Sequence, residues 1–108
     1  MSEIINLSPR ETKDLIDNNI SNKDFIILDL RSKAAFQKKH IQNAVHLDYH
    51  ADDFDDNLEN LDISKTYLIY CDGNAKANIT SEMLQDLGAK NIYKLDGGMI
   101  RLYNEFDL

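Results

Sequence analysis

The sequence predicts an α/β fold in which a mostly parallel central sheet of about five short strands is flanked by helices on both faces. Short apolar runs alternate along the chain with segments of helical periodicity, an order typical of parallel sheets. Residues 25–28 and 67–71 are uninterrupted apolar runs between polar residues, as in strands that are buried on both faces. We therefore expect one α/β domain spanning residues 1–108.

Local patterns place each element. Apolar runs or alternating polarity predict strands at residues 4–7, 25–28, 45–47, 67–71 and 92–95. Helical spacing or N-terminal caps predict helices at residues 9–19, 33–37, 51–61, 75–87 and 99–106. The first helix has the clearest start, because Ser8, Pro9 and Glu11 suit its N-cap, first and third positions and form a capping box. Gly88 is placed to end the fourth helix.

Two of these helices carry stripes that identify their buried faces. In the acidic segment 51–61, an amphipathic helix is predicted by apolar residues at i, i+4 and i+7: Phe54, Leu58 and Leu61. In the segment 75–87, the predicted inward stripe comprises Ala77, Thr80, Met83, Leu84 and Leu87. The carboxylates of residues 51–61 are then expected on a solvated helix face or on a docking surface for a basic partner.

Composition and charge argue against several classes of partner. The formal net charge of −7 disfavours nucleic acid and anionic membranes, since both need basic patches. No apolar run approaches the roughly 20 residues that span a bilayer, and the first residues lack the basic and apolar regions of a secretory signal. A single cysteine, Cys71, cannot form an internal disulfide and fits a reducing compartment. A cytoplasmic protein is expected.

Cys71 is the candidate nucleophile. It ends the apolar run 67–71 and precedes a short polar stretch, after which a helix is predicted to open at Ala75. A strand, tight loop and helix N-terminus together direct backbone N–H groups and the positive end of a helix dipole to one point, which favours a reactive thiolate. The alternative is a small buried packing cysteine. Gly73 and Asn74 favour the nucleophile, because a loop that turns its N–H groups inward needs residues that tolerate positive φ.

Three motifs in order resemble the rhodanese-type sulfurtransferases. Residues 71–77, C-D-G-N-A-K-A, resemble that family's active-site loop, C-x-x-G-x-[R/T]-[S/A]. Asp29 and Arg31, followed by residues 40–41, resemble its D-x-R and H-I elements, and residues 95–99 resemble its closing L-x-G-G element. The resemblance covers nearly the whole chain and implies a rhodanese-like fold.

This resemblance implies a role for each residue. Cys71 is the implied catalytic residue, and six residues form the active-site loop that binds the substrate: Asp72, Gly73, Asn74, Ala75, Lys76 and Ala77. Asp29 is implied to support the loop, Arg31 to lie near its mouth, and His40 to make a structural hydrogen bond. A local ion pair or cap is an equally good interpretation of Asp29 and Arg31.

Three loop positions depart from the family pattern. Asn74 replaces a usual glycine, which is tolerable where the backbone is left-handed. Lys76 replaces the usual Arg or Thr, so a charge is kept but the planar fork that binds oxyanions is lost. Asp72 replaces an often basic residue and would repel an anionic donor such as thiosulfate. These departures bear on the substrate more than on the geometry of the loop.

The expected function is sulfur transfer from a donor such as thiosulfate to cyanide, a thiol or a protein cysteine through a Cys71 persulfide. The alternatives are a persulfide-carrier or protein-binding module of the same fold with little turnover, and an inert scaffold. A phosphatase is disfavoured, because its C-x5-R loop needs arginine where Ala77 stands. No organic cofactor is expected. No metal is expected either, since the histidines at positions 40, 46 and 50 match no zinc-ligand spacing.

Overall fold

The computed structural model describes residues 3–106, in which strands and helices alternate. The five strands are β1 (Glu3–Leu7), β2 (Phe25–Asp29), β3 (Val45–His46), β4 (Thr66–Tyr70) and β5 (Asn91–Leu95). The five helices are α1 (Pro9–Asn18), α2 (Lys33–Lys38), α3 (Phe54–Glu59), α4 (Ala75–Asp86) and α5 (Gly98–Glu105). The predicted α/β class and the predicted order of elements are confirmed. None of the helices in residues 3–106 combines the length and the apolar character that crossing a membrane requires.

All strands described form one parallel sheet in the order β1-β5-β4-β2-β3. The predicted strand that ends in the cysteine, β4, is central and pairs with β2 and β5. The register places Asp29 opposite Tyr70 at the carboxyl ends of β2 and β4. Cys71 is the next residue, so the candidate nucleophile lies at the edge of the sheet where ligands gather in α/β proteins.

The helices cover both faces of the sheet, as predicted. One core cluster packs α3 and α4 against the sheet, and its helical members include Phe54, Leu58, Ala77 and Leu84. The other cluster, on the opposite face, includes Met99 and Leu102 of α5, and the partly buried Leu15 and Ile16 of α1 pack against it. The central strand is therefore buried on both sides, which explains why its sequence is continuously apolar.

The predicted caps are confirmed. Ser8 Oγ accepts from the Glu11 backbone N–H at 3.1 Å, and Glu11 Oε1 accepts from the Ser8 backbone N–H at 3.0 Å, which completes the capping box of α1. Ser32 Oγ accepts from the Ala35 N–H at 3.2 Å and begins α2 in the same way.

Two helix boundaries differ from the prediction. α3 is confined to Phe54–Glu59, because residues 51–53 form a turn before it. Asp and Asn are poor helix formers, and the closely spaced Asp carboxylates repel one another, which accounts for the shorter helix. α4 ends at Asp86, so Leu87 occupies its C-cap and is 40% exposed, and its predicted place on the buried stripe is wrong. Ser81 is buried on this helix instead.

Candidate active site

Cys71 lies directly after β4 at the base of the candidate site. Cys71 is only 2% exposed, and it belongs to the core cluster on the α4 face of the sheet. Cys71 is a free thiol. Burial of this degree agrees both with a nucleophile at the bottom of a site and with a packing cysteine, so the surroundings of the thiol must distinguish the two.

The active-site loop joins Cys71 to α4. Asp72, Asn74 and Ala75 are exposed, Gly73 and Lys76 are half-buried, and Ala77 is buried in the core. Among residues 3–106, the backbone N–H groups of residues 72–77 donate to no protein acceptor. The N–H groups in the first turn of a helix point out of its N-terminus, where they favour a negative charge. The loop thus offers a group of free donors immediately after the thiol.

The turn that opens α5 packs directly on this loop. The N–H of Met99 donates to the Cys71 carbonyl at 2.9 Å, and the N–H of Ile100 donates to the Asp72 carbonyl at 3.2 Å. Gly98 has φ +61°, and a Cβ placed on it would lie 2.5 Å from the carbonyl carbon and oxygen of Asp72 and closer still to the Cys71 oxygen. Only glycine fits there, because both the left-handed backbone and the close approach exclude a side chain. The closing L-x-G-G element therefore fixes the position of Cys71 and Asp72.

Asn74 ties the loop to the same turn. The N–H of Gly97 donates to Asn74 Oδ1 at 2.8 Å. The backbone of Asn74 has φ −123°, and among the described residues the only non-glycine with positive φ is Asn43, so the expected left-handed conformation is wrong. Gly73 does not have a positive φ either, since the glycines with positive φ in residues 3–106 are Gly88, Gly97 and Gly98. Asn74 contributes an acceptor rather than conformational freedom.

Replacing Asn74 by alanine is expected to destabilise the protein by about 0.5–1.5 kcal/mol, because the Gly97 N–H loses its acceptor. Asn74→Asp keeps an oxygen in the same place and is the matched control, with stability expected near that of the wild type. Urea denaturation of both variants measures the difference. If both lose the same stability, the Gly97 bond does not hold the loop.

A buried ion pair supports the strand that delivers Cys71. Arg31 Nη2 lies 2.8 Å from Asp29 Oδ2, and Arg31 Nε lies 3.1 Å from Asp29 Oδ1. The Tyr70 hydroxyl donates to Asp29 Oδ2 at 2.5 Å, and the Arg31 guanidinium donates to the Lys39 carbonyl at 2.6 Å. Asp29 and Tyr70 are fully buried, and Arg31 is 4% exposed. The contacts hold Tyr70, the residue before Cys71, from one side.

This network sets the ionisation of its members. Burial raises the pKa of Tyr70, and the hydrogen bond to Asp29 raises it further, so the phenol stays neutral and donates. Burial acts to lower the pKa of Arg31, but the hydrogen bonds and charge of Asp29 outweigh it and raise that pKa, so the guanidinium stays charged. The guanidinium is thus occupied by protein acceptors. Of the two interpretations of Asp29 and Arg31 that the sequence offered, the geometry of these side chains matches the local ion pair.

His40 makes its contacts with α2. Its ring stacks on Phe36 with 3.8 Å between centroids, and Nδ1 lies 2.7 Å from the Phe36 carbonyl oxygen. His46 stacks on the same ring, and its Nε2 lies 2.7 Å from the Arg31 carbonyl oxygen. Within residues 3–106, no three His, Cys, Asp or Glu side chains are grouped so as to hold a metal ion.

Two lysines flank the start of α4. Lys76 lies in its first turn and has no ion-pair partner among the described residues. Lys94 of β5 is buried, and its ammonium donates to Asn78 Oδ1 on α4. Our sequence reasoning did not select Lys94. The burial of Lys94 could have been predicted from the two-residue period of β5, which places residues 92 and 94 on the same, core-facing side of the strand.

Comparison with known proteins identifies the family. The family model for the rhodanese-like domain matches residues 9–105. The chain belongs to this family. A solved rhodanese-like domain protein from Staphylococcus aureus has a TM-score of 0.73 at 24% identity, with 91% of this chain and 90% of that chain covered. A solved protein from Saccharomyces cerevisiae has a TM-score of 0.80 at 17% identity, with 99% and 100% covered. These likenesses support the rhodanese-like fold.

Two curated relatives differ in length. The chain is 29% identical over 79 residues to thiosulfate sulfurtransferase GlpE from Coxiella burnetii. The matched region covers 73% of this chain and 72% of that protein. The chain is 34% identical over 98 residues to a tRNA uridine(34) hydroxylase from Cytophaga hutchinsonii, and the matched region covers 88% of this chain. The chain spans only 30% of the length of that hydroxylase. The rhodanese-like domain is therefore similar both to a small protein and to one part of a much longer protein.

Proposed function

We propose that this rhodanese-like domain transfers a sulfane sulfur from a donor such as thiosulfate to a thiophilic acceptor through a persulfide on Cys71. The observation that carries the proposal is the position of the only thiol, directly before a loop whose N–H groups at residues 72–77 have no acceptor among the residues that the structure describes. A packing cysteine does not require such a loop. The similarity to a thiosulfate sulfurtransferase supports thiosulfate as a donor.

The proposed reaction has two displacement steps. The Cys71 thiolate attacks the outer sulfur of thiosulfate, a sulfur–sulfur bond forms on the enzyme, and sulfite leaves with the electron pair of the broken bond. An acceptor then attacks the outer sulfur of the persulfide and restores the thiolate. Cyanide leaves as thiocyanate, and a thiol or protein cysteine leaves as a persulfide. Neither step needs a metal or an organic cofactor.

The loop is proposed to supply electrostatic stabilisation. The terminal sulfur of a persulfide is anionic, and the free N–H groups at the start of α4 are donors already fixed by folding. The half-buried Lys76 adds a positive charge in the same turn. The bonds from Met99 and Ile100 hold the carbonyls of Cys71 and Asp72, so the loop need not reorganise during the reaction.

A second candidate is a persulfide-carrier or protein-binding module with little turnover. Two observations favour it: Cys71 is almost fully buried, and the exposed Asp72 adjoins it. The similarity to one part of a longer tRNA uridine(34) hydroxylase agrees with a domain that serves a larger protein. Under either function, we propose a reducing, cytoplasmic location, because the thiol must stay free.

Steady-state kinetics of thiocyanate formation from thiosulfate and cyanide test the proposal. Double displacement through an enzyme persulfide predicts parallel lines when the reciprocal rate is plotted against the reciprocal thiosulfate concentration at several fixed cyanide concentrations. Converging lines would contradict a free persulfide intermediate. A Cys71 persulfide that forms with thiosulfate but that cyanide discharges only very slowly would favour the carrier module.

Reversing the charge of Asp72 is expected to improve thiosulfate as a donor. Asp72→Arg should raise kcat/KM by about tenfold at low ionic strength, because an exposed charge next to the nucleophile then attracts the anion instead of repelling it. The gain should shrink as salt screens the charge. Glu82→Arg is the matched control, since Glu82 is exposed on α4 beyond the loop. Equal gains in both variants would show that only the net charge matters.

A further inference from the structure

A groove with an apolar floor runs between α3 and α4. It consists of two adjoining cavities of about 280 and 310 Å³, which share Asp55 and Met83 in their lining. The floor is formed by Tyr49, Phe54, Leu58, Met83 and Leu87. Leu87 is 40% exposed at the C-cap of α4, the position at which the sequence prediction of the buried stripe failed. Its exposed part adds apolar surface to the floor of the groove.

The charged residues around the groove, which we call its rim, are acidic. Of residues 3–106, the charged side chains that line it are four carboxylates, Asp52, Asp55, Glu59 and Asp86, and no lysine or arginine is among them. Within residues 3–106, none of the four takes part in an ion pair or a side-chain hydrogen bond. Elsewhere the surface carboxylates Asp14, Asp17 and Asp24 are paired with basic side chains. Unpaired charges of one sign around a cleft focus a negative potential in it.

We propose that this groove docks a short basic segment of a partner protein, whose lysines or arginines meet the rim while one or two large apolar side chains fill the floor. The combination of a helix-lined apolar groove and charged flanks is typical of amphipathic-segment recognition. Complementary charge would speed encounter and select against acidic partners. A second copy of this chain fits poorly, because its net charge of −7 opposes association. The proposal goes beyond sulfur transfer and does not depend on it.

Fluorescence anisotropy with a synthetic peptide tests the proposal. The probe is a labelled amphipathic peptide of about twelve residues, with lysines flanking two leucines four positions apart. A peptide of the same composition with the leucines adjacent to each other is the control ligand. The wild-type chain should bind the first peptide at least about fivefold more tightly than the second, because only the first matches both floor and rim.

Three variants locate the binding. Removing three rim charges together, Asp55→Asn, Glu59→Gln and Asp86→Asn, should weaken binding at least about tenfold. The matched control removes three exposed carboxylates elsewhere, Asp14→Asn, Asp17→Asn and Asp24→Asn, and should leave affinity within about twofold. Leu87→Ser should weaken binding about threefold through the floor, with little effect on folding because the residue is partly exposed. All variants should stay folded, which thermal unfolding checks.

Three results would overturn the proposal. Equal weakening by the rim and control triple variants would mean general attraction to an acidic protein. Equal affinity for the two peptides, or binding to neither, would mean that the floor recognises no amphipathic segment. Concentration-dependent self-association that the rim triple variant abolishes would instead assign the groove to a second copy of the chain.

Discussion

Replacing Cys71 by serine is expected to reduce the rate of thiosulfate-to-cyanide sulfur transfer at least about 1,000-fold, because a neutral hydroxyl cannot take the place of a thiolate nucleophile. Cys71 is the only cysteine, so no neighbouring thiol can substitute for it. The measurement is the initial rate of thiocyanate formation at saturating thiosulfate. Residual activity near that of the wild type would place the chemistry at another residue.

Folding must be checked in the same variant. Cys71 is 2% exposed, and a buried hydroxyl without a partner costs about 1–3 kcal/mol. Cys71→Ala introduces no polar atom and is the matched control. Both variants should lose activity equally, and Cys71→Ala should keep more of the stability measured by thermal unfolding. If the serine variant is unfolded, its loss of activity carries no information on catalysis. The activity of the folded alanine variant then shows whether Cys71 is required.

Replacing Gly98 by alanine is expected to destabilise the protein by about 2–4 kcal/mol and to lower the rate of sulfur transfer about 100-fold. Part of the destabilisation is the strain of a left-handed backbone with a side chain, about 1–2 kcal/mol. The rest arises because the new Cβ would overlap the carbonyl groups of Cys71 and Asp72, which must move. A loop displaced by about 1 Å can lower the rate by two orders of magnitude. Thermal unfolding and the kcat of purified protein check both effects.

Gly97→Ala provides a matched control for this prediction. Gly97 also has a positive φ, of +81°, but the atoms nearest to a Cβ there belong to the side chain of Arg101, including its Cβ at 2.8 Å, and not to the active-site loop. We expect a destabilisation similar to that of Gly98→Ala, about 2–4 kcal/mol, from backbone strain and from the contact with Arg101, but nearly normal kcat. Equal losses of kcat in the two variants would show that strain in the turn, rather than contact with the active-site loop, limits activity.

Local sequence patterns were sufficient to predict most of the fold. Apolar runs identified the strands, because a parallel sheet covered on both faces leaves no polar alternation. The caps at Ser8 and Ser32 were predicted because their hydrogen bonds join residues three apart. The end of α4 and the length of α3 were less well predicted, since competing turns and repulsion between neighbouring carboxylates decide them.

The candidate site was predictable in its composition and less so in its geometry. The order of strand, cysteine, loop and helix identified Cys71 and residues 72–77. The contacts that position the loop join segments distant in sequence, Asn74 with Gly97 and Gly98 with the Cys71 carbonyl, and no local pattern encodes them. For the same reason the conformation of Asn74 was mispredicted, because its acceptor role depends on a turn more than twenty residues away.

The apolar groove was likewise beyond local reasoning. The sequence showed an acidic segment with a helical stripe and left open whether its carboxylates face solvent or a partner. Only the packing of α3 and α4 on the same face of the sheet brings Asp55 and Glu59 into one rim with Asp86. The exposure of Leu87 follows from the end of α4, and this end lies one residue earlier than the apolar spacing alone indicates.

The intact mass of the protein after incubation with thiosulfate tests the proposed persulfide most directly. The wild type should gain about 32 Da, the mass of one sulfur atom, and should lose it when cyanide or a thiol is added. Cys71→Ser should gain nothing under the same conditions. An unchanged wild-type mass with thiosulfate and with other sulfane donors, or a gain that persists in Cys71→Ser, would contradict a Cys71 persulfide.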